Sequence, residues 1–367
     1  MVHRHGGDIY SYPQIQDFSA NINFRGMPEQ VREAARRAVD VSMHYPDPDY
    51  RTLRRALAGR EQVEDSRIIC GNGAAELMFA LAAARRPRQA LLAVPSFFEY
   101  EQALTAFGCG ISYFYLREQQ GFALEEAFLE AVGDDTELIV LGNPNNPTGQ
   151  LVQSELLRRL LELCRERGIF LVLDESFFDF LCEADREKTL EGGRQIQEHP
   201  NLFVLKSFTK IYAMPGLRFG YGICSDLELL QTMRTIMQPW NVSIPAQMAA
   251  EAACMETGFA CETAEQTARN RKEMKTWLEQ AGYQVFDSNT NFLMFRDPSE
   301  AEGSVTGDNG RACVSLKDYC LKYGFLIRDC SNFPGLSKGY YRICVRSREE
   351  NEKLFRVLEE AARLRKY

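Results

Sequence analysis

The stretch that decides the fold is LFVLKSFTK, at residues 202–210. Its first four residues are apolar and typical of a buried strand, and Lys210 follows the hydroxyl residues Ser207 and Thr209. A buried ammonium group without a partner is costly, or its pKa falls. A lysine with a lowered pKa can form a Schiff base with an aldehyde, and Arg218 with the two hydroxyls could hold a phosphate. A lone lysine of this kind is more often a surface residue, so the interpretation depends on other segments.

Two further apolar runs end in polar residues of matching chemistry. One leads into NPNNPTG at residues 143–149, where the prolines and glycine predict a rigid turn that presents the Asn146 amide to a phenolic oxygen. The other ends directly in Asp174, and ligands of open α/β sheets bind at the carboxyl ends of the strands. A carboxylate there suits the ring nitrogen of pyridoxal 5'-phosphate (PLP), since a protonated ring withdraws electrons better. Each segment alone is explained by a turn or a helix cap, but together with Lys210 they indicate a PLP site.

With these residues in this order, the chain resembles the fold-type I PLP enzymes, specifically the class I and II aminotransferase group. The resemblance extends over nearly the whole chain. It implies that Lys210 forms the Schiff base with PLP, that Asp174 pairs with the pyridinium and that Asn146 bonds the phenolic oxygen. The residues that it implies for the phosphate are Ser207, Thr209 and Arg218.

Three other segments match cofactor contacts of this group. Gly73 and Ala74 stand where a predicted strand gives way to a helix, whose N-terminal N–H groups suit an anion, and the resemblance implies that both donate to the PLP phosphate. Phe97 matches the aromatic residue that stacks on the ring, although it is also explained as a core residue. Tyr45, in a proline turn, matches the tyrosine that reaches the cofactor phosphate of the partner subunit. The resemblance therefore implies a homodimer with shared active sites.

Strand-sized apolar runs alternate with helical periods, which predicts an α/β fold with a mostly parallel sheet. Further on, a helical stretch has a break at Gly258, and Ser347 with Glu350 forms a capping box before the last helix. We predict the PLP-dependent transferase fold of type I. Its large domain would comprise residues 36–250, and residues 1–35 and 251–367 would form a smaller α+β domain from both termini. The Gly-, Ser- and Asp-rich stretch 297–310 is expected to be a surface loop.

Composition excludes several classes of function. The chain has 367 residues, of which 45% are hydrophobic and 26% charged, so it can bury a sizeable core. Its net charge of −8 gives no general attraction to nucleic acid or anionic membranes. No apolar run approaches the ~20 residues of a membrane helix, and the first residues lack the apolar core of a signal peptide. Eleven cysteines occur without a Cys-x-x-Cys pair. We therefore expect a cytoplasmic protein that has no metal site and that binds neither nucleic acid nor membranes.

Phe177 narrows the class of enzyme. Histidinol-phosphate aminotransferases usually carry a tyrosine at this position after the aspartate, and phenylalanine cannot make its hydrogen bond to the cofactor. In this respect the chain resembles the threonine-phosphate decarboxylases of cobalamin biosynthesis. It departs from their pattern in a shorter connection between His5 and Asn21 and in the 297–310 stretch. The segments that share the resemblance are residues 5–8, 17–23, 327–336 and 340–347.

An anionic substrate is expected from the arginines near the C-terminus. Strand alternation puts Arg342 and Arg346 on one face, where their planar guanidinium groups suit carboxylate or phosphate. The resemblance implies that Arg342 binds the substrate α-carboxylate with help from Asn21. Arg328 and His5 would then meet the substrate phosphate. Arg346 is equally well explained as a structural arginine, and His5 as part of a frayed terminus.

The first functional hypothesis is the decarboxylation of O-phospho-L-threonine to (R)-1-amino-2-propanol phosphate. The second is an aminotransferase, such as one acting on histidinol phosphate, because the cofactor residues are shared. A non-enzymatic protein that keeps the PLP fold as a binding module is the third. O-Phosphoserine is a near-substrate of the first hypothesis, since one methyl group contributes only ~1–3 kcal/mol of discrimination.

Overall fold

The structure is a computed structural model that describes residues 5–301 and 315–364. The predicted loop at residues 297–310 lies largely outside this part of the chain. None of the described helices combines the length and apolar character that a membrane span requires.

The strands, in chain order, are β1 (Gln16–Asp17), β2 (Ile68–Gly71), β3 (Gln89–Val94), β4 (Gly110–Tyr115), β5 (Leu138–Gly142), β6 (Phe170–Asp174), β7 (Leu202–Ser207), β8 (Gly220–Cys224), β9 (Gln284–Val285), β10 (Phe292–Arg296), β11 (Phe325–Leu326), β12 (Arg328–Asp329) and β13 (Tyr340–Cys344).

The helices are α1 (Glu29–Asp40), α2 (Arg51–Glu61), α3 (Ala74–Arg85), α4 (Phe98–Ala106), α5 (Ala127–Glu130), α6 (Ser154–Arg167), α7 (Glu183–Arg186), α8 (Phe208–Ile211), α9 (Leu227–Ile236), α10 (Ile244–Met255), α11 (Phe259–Ala281), α12 (Pro298–Ala301), α13 (Leu316–Lys322) and α14 (Arg348–Leu364).

The large sheet has seven strands in the order β2-β8-β7-β6-β5-β3-β4. Strands β4, β3, β5, β6 and β7 pair in parallel, and β8 pairs antiparallel with both β7 and β2. The predicted α/β fold with a mostly parallel sheet is confirmed. Strand β4, at one edge, was not predicted from the sequence, and all six of its residues stay at least partly exposed.

The strands of the large sheet bury both faces, as their continuous apolar runs predict. Alternate residues of one strand belong to two different cores: Leu171 and Leu173 lie in the core that includes α6, and Phe170 and Val172 lie in the core that includes α3, α4 and α9. Because the side chains alternate, the polar residue that ends a strand is assigned to one face by its register.

The smaller sheet is antiparallel, in the order β12-β13-β10-β9, and a core of residues from α11, α13 and α14 covers one of its faces. In the N-terminal segment, β1 pairs in parallel with β11 in a separate two-stranded sheet. The segment contacts the smaller sheet where the Cys344 amide donates to the Phe18 carbonyl at 2.8 Å. Both ends of the chain therefore build this smaller α+β unit. The predicted helix break at Gly258 and the capping box are present, since Glu350 N donates to Ser347 Oγ at 3.3 Å and Ser347 N to Glu350 Oε2 at 3.2 Å.

The exact domain limits stay a prediction. The proposed divisions after residues 35 and 250 fall inside α1 and α10, and these two helices pack against each other.

A glycine in β8 offers a test of the packing between strands. A Cβ atom at Gly222 would lie 2.1 Å from Phe203 Cζ. We expect Gly222→Ala to lower the free energy of unfolding by about 1–3 kcal/mol, as overpacked cores do, measured by urea denaturation. Gly59→Ala is the matched control, because no atom lies within 4 Å of its Cβ position inside α2, and it should leave stability unchanged or slightly higher. Equal effects of the two substitutions would contradict this packing.

Candidate active site

A cavity lies at the carboxyl edge of the large sheet, where the ends of β2, β3, β5, β6 and β7 meet. Twelve of the residues predicted from the sequence line it: His5, Asn21, Ala74, Phe97, Asn146, Asp174, Ser207, Thr209, Lys210, Arg218, Arg328 and Arg342. The other predicted residues, Gly73, Tyr45 and Arg346, do not line it.

Lys210 lies in the short helix α8, directly after β7. Burial, together with the neighbouring cations Arg342 and Arg218, lowers the pKa of its ammonium group to about 8. The sequence predicted this direction. At neutral pH an appreciable fraction of Lys210 is therefore uncharged, which is the form that attacks an aldehyde.

Asp174 is the last residue of β6 and is buried. Its Oδ2 accepts a hydrogen bond from the Tyr100 hydroxyl at 2.7 Å, and its Oδ1 accepts one from the Ser176 amide at 2.8 Å. Burial raises the pKa of this carboxyl, against the effect of those two donors. A cation bound beside Asp174 would reverse that shift, and a protonated ring nitrogen is such a cation.

The candidate phosphate cradle combines a helix N-terminus with three side chains. Gly73 has φ +82°, and a Cβ atom there would lie 2.4 Å from Arg218 Nη2, so only glycine admits the arginine so closely. Ser207 Oγ caps α8 and lies 2.7 Å from Thr209 Oγ1. The Gly73 amide already donates to the Gly71 carbonyl at 2.8 Å. The structure therefore shows that Gly73 allows the close approach of Arg218, and the donation of the Gly73 and Ala74 amides to a phosphate stays a prediction.

The face of the cavity next to β5 and β6 carries Asn146 and Phe177. The Asn146 Oδ1 atom accepts a hydrogen bond from Arg342, which leaves its NH2 group as the donor that the sequence predicted for a phenolic oxygen. Phe177 packs edge-to-face on Phe292 with ring centroids 5.1 Å apart, so it contributes an apolar wall. On another side of the cavity, Phe97 packs edge-to-face on Tyr100, with ring centroids 5.6 Å apart.

Two buried arginines lie side by side on neighbouring strands of the smaller sheet. Arg328 and Arg342 are register partners on β12 and β13, and their exposed fractions are 7% and 6%. Arg342 donates to the Ser19 carbonyl at 2.8 Å, and its Nε has no acceptor among the described residues. Burial lowers the pKa of Arg342 to about 10, and the positive charge of Arg328 adds to the effect.

Arg346 has a different place from the one expected. Strand β13 ends at Cys344, and the Arg346 guanidinium forms an ion pair with Glu350 at 2.7 Å and donates to the Asp17 carbonyl at 3.2 Å. The prediction that Arg346 meets substrate is corrected, because the carboxylate of the capping box holds its side chain outside the cavity.

Tyr45 also lies away from the cavity of its own chain. Its side chain is 77% exposed and stacks on Trp240 with centroids 4.4 Å apart. A role for Tyr45 in the site of this same chain is thereby excluded, and its predicted role in a partner's site stays a prediction.

Sequence reasoning missed several lining residues, among them Tyr100, Ser176 and Glu99. Tyr100 lies in the first turn of α4, and its role depends on the contact of its hydroxyl with Asp174 from a distant strand, which no local pattern shows. Ser176 contributes a backbone amide, which no side-chain pattern reveals.

The residues present fit PLP. A lysine with a lowered pKa, a buried carboxylate, an asparagine donor and an anion cradle of two hydroxyls, an arginine and a helix N-terminus line one cavity. Together with the fold, this set defines a PLP-dependent enzyme of fold type I.

The comparisons with known proteins agree. The model of the family described as aminotransferase class I and II matches residues 13–358, so the chain belongs to that family. The threonine-phosphate decarboxylase of Salmonella typhimurium is 36% identical to it over 96% of this chain and 95% of that protein. Among solved structures, the histidinol-phosphate aminotransferase of Clostridium acetobutylicum has a TM-score of 0.85 at 29% identity, covering 95% of this chain and 100% of its own. The L-threonine-O-3-phosphate decarboxylase of Porphyromonas gingivalis has a TM-score of 0.79 at 28% identity, covering 94% and 99%.

The lowered pKa of Lys210 is directly testable in cofactor-free protein. The rate of Schiff-base formation with added PLP should rise as the pH is raised through about 8 and then level off, because the uncharged amine is the nucleophile. The absorbance of the Schiff base measures this rate. Arg342→Met removes a cation that lowers the pKa of Lys210, so the midpoint of the rate against pH should move to higher pH in this variant. A wild-type rate that levels off only near the ordinary lysine pKa of 10.5 would contradict the burial of Lys210.

Proposed function

We propose that this chain is a PLP-dependent carboxy-lyase that converts O-phospho-L-threonine to (R)-1-amino-2-propanol phosphate in cobalamin biosynthesis. The observation that carries the proposal is the pair of buried arginines, Arg328 and Arg342, directly opposite each other on β12 and β13. Both arginines line the cavity, and a planar guanidinium group suits a carboxylate or a phosphate. Two such groups side by side fit a small substrate with two anionic groups, and O-phospho-L-threonine carries a carboxylate and a phosphate.

Each predicted residue has a role in this proposal. PLP, when bound, supplies the aldehyde that captures the substrate amine and the ring that withdraws electrons from Cα. Asp174, oriented by Tyr100 and Ser176, would keep the ring nitrogen protonated, and Lys210 would hold and return protons near Cα.

The substrate would be held at both of its anionic ends. Arg342 with Asn21 would bind the α-carboxylate, and Arg328 with His5 would bind the phosphate. With both ends fixed, the substrate has little freedom to rotate about the bond between its amine nitrogen and Cα. That rotation decides whether CO2 or a proton leaves. Phe177 supports the decarboxylase, because the apolar wall that it forms replaces the hydroxyl that is usual in histidinol-phosphate aminotransferases.

The direct experiment supplies the PLP-loaded protein with O-phospho-L-threonine, and separately with histidinol phosphate plus 2-oxoglutarate. CO2 from the first and no glutamate from the second is the expected result. Glutamate without CO2 would reject the decarboxylase in favour of the aminotransferase, to which the likeness of the Clostridium acetobutylicum structure also points.

A pair of arginine substitutions tests the substrate contacts. We expect Arg328→Gln to raise the KM for O-phospho-L-threonine about 30-fold or more, because a hydrogen bond between charged groups contributes about 2 kcal/mol. Steady-state kinetics of CO2 release measures this change. Arg346→Gln is the control: it loses the Glu350 ion pair, so thermal stability should fall while KM stays near the wild-type value. A KM effect in Arg346→Gln equal to that in Arg328→Gln would contradict the assignment.

We further propose that the enzyme works in the cytoplasm as a homodimer with shared active sites. Large apolar side chains on and around α1 and α10 are exposed, which supports a subunit interface there: Val39, Met43, Tyr45, Trp240 and Met255. Tyr45 in this region would reach the cofactor phosphate of the partner subunit.

Subunit mixing tests the shared site. Lys210→Ala and Tyr45→Ala homodimers should each be nearly inactive. Refolded together in equal amounts, they should regain roughly a quarter of wild-type activity, since half the dimers are hybrids with one intact site each. CO2 release after mixing measures the recovery. No recovery, with hybrid dimers verified by mass spectrometry, would contradict the shared site. An active Tyr45→Ala homodimer would mean that Tyr45 has no part in it.

A further inference from the structure

Glu99, on the first turn of α4, lies in the cavity wall beside the residues assigned to the substrate phosphate. Its Oε1 atom is 3.3 Å from His5 Nε2. Its Oε2 atom is buried and has no hydrogen-bond partner among the described residues. A buried polar atom without a partner calls for an explanation, and in a cavity wall the direct one is a ligand group.

The N-terminal segment that brings His5 to Glu99 is tightly held. A Cβ atom at Gly6 would lie 2.3 Å from the Ser19 carbonyl oxygen, and the Gly7 amide donates to Ser19 Oγ at 2.7 Å. The same Ser19 carbonyl accepts from Arg342. The contact between His5 and Glu99 is therefore tied to the arginine assigned to the carboxylate.

The surroundings of Glu99 favour its protonated form when an anion is present. Burial raises the pKa of Glu99 to about 7; its own backbone amide and Lys210 oppose this, and the charge of Asp174 adds to it. The charged groups that bear on it are His5 from the N-terminal segment, Lys210 from α8 and Asp174 from β6. A phosphate dianion entering the cavity would favour the neutral carboxyl further.

We propose that protonated Glu99 is a specificity-determining residue that donates a hydrogen bond from Oε2 to the substrate's phosphate monoester, while its Oε1 atom accepts from His5. The phosphate oxygen accepts the hydrogen bond, and no covalent bond forms or breaks. Where Glu99 is ionised before binding, one proton from the solvent accompanies the phosphate into the site. The inference deepens the proposed function, on which it rests for the phosphorylated nature of the substrate.

The test compares ligands that differ in the phosphate alone. The affinities of the PLP-loaded protein for 1-amino-2-propanol phosphate and for 1-amino-2-propanol are measured by calorimetry between pH 6.5 and 8.5, and their ratio isolates the phosphate. In the wild type, that ratio should fall as the pH rises above about 7, by at most about tenfold per pH unit. Calorimetry in two buffers of different ionisation enthalpy should show proton uptake that is specific to the phosphorylated ligand.

The decisive variant is Glu99→Gln, which keeps a donor and cannot titrate. Apart from the titration of the ligands themselves, its affinity ratio should not change with pH. At pH 8.5 it should exceed the wild-type ratio by up to about 30-fold. Glu99→Ala should lose phosphate selectivity at every pH, and Glu101→Gln, on the same helix outside the cavity lining, should match the wild type. The titration of the ligands themselves is the same with every protein, so it cancels when the ratios of the variants and the wild type are compared at one pH.

Two results would overturn the proposal: a wild-type pH dependence that persists in Glu99→Gln, or an equal effect of Glu99→Gln on both ligands. For the alternative substrate, the corresponding ratio is measured with histidinol phosphate and histidinol. Because these are equilibrium measurements, an absence of CO2 release would reject the decarboxylase and leave the role of Glu99 to be decided by the ratios.

Discussion

The parallel register of the large sheet is the constraint on which the active site depends. Gly142 of β5 pairs with Asp174 of β6, and Asp174 pairs with Leu205 of β7, so three strands end at the same edge. Asp174 and Ser207 fall on one face of that edge because their neighbours alternate between the two cores. The turn with Asn146 and the helix with Lys210 start from the same edge. A slip of one residue in β6 would turn Asp174 toward the other core.

Above that edge, the site carries charges that the protein alone leaves poorly compensated. Asp174 is a buried carboxylate with a raised pKa, Lys210 is a lysine with a lowered one, and Arg342 is a buried arginine whose Nε has no acceptor among the described residues. Such groups cost stability in the absence of ligand. A protonated ring beside Asp174, and a carboxylate and phosphates beside the cationic groups, would offset these costs together.

The parts predictable from sequence are those in which a motif and a strand end coincide. Asp174, Asn146 and Lys210 could be found because each follows an apolar run, and Arg342 because it lies within a strand. Arg346 was misassigned because alternation was extended past Cys344, where the strand ends and Glu350 captures the guanidinium. The occupied amide of Gly73 and the neighbours of Glu99 depend on contacts between distant segments. Strand β4 escaped detection for a different reason: none of its residues is fully buried, so no apolar face marks it.

The central claim is that Arg342 and Arg328 bind the two anionic ends of one substrate. A crystal structure of the PLP-loaded Lys210→Ala variant with O-phospho-L-threonine tests it most directly, since the loss of the lysine should slow turnover enough to trap the ligand. We predict the substrate carboxylate on Arg342 and Asn21, and the phosphate on Arg328 and His5. Both anionic groups on a single arginine, or a phosphate directed toward solvent, would contradict the account.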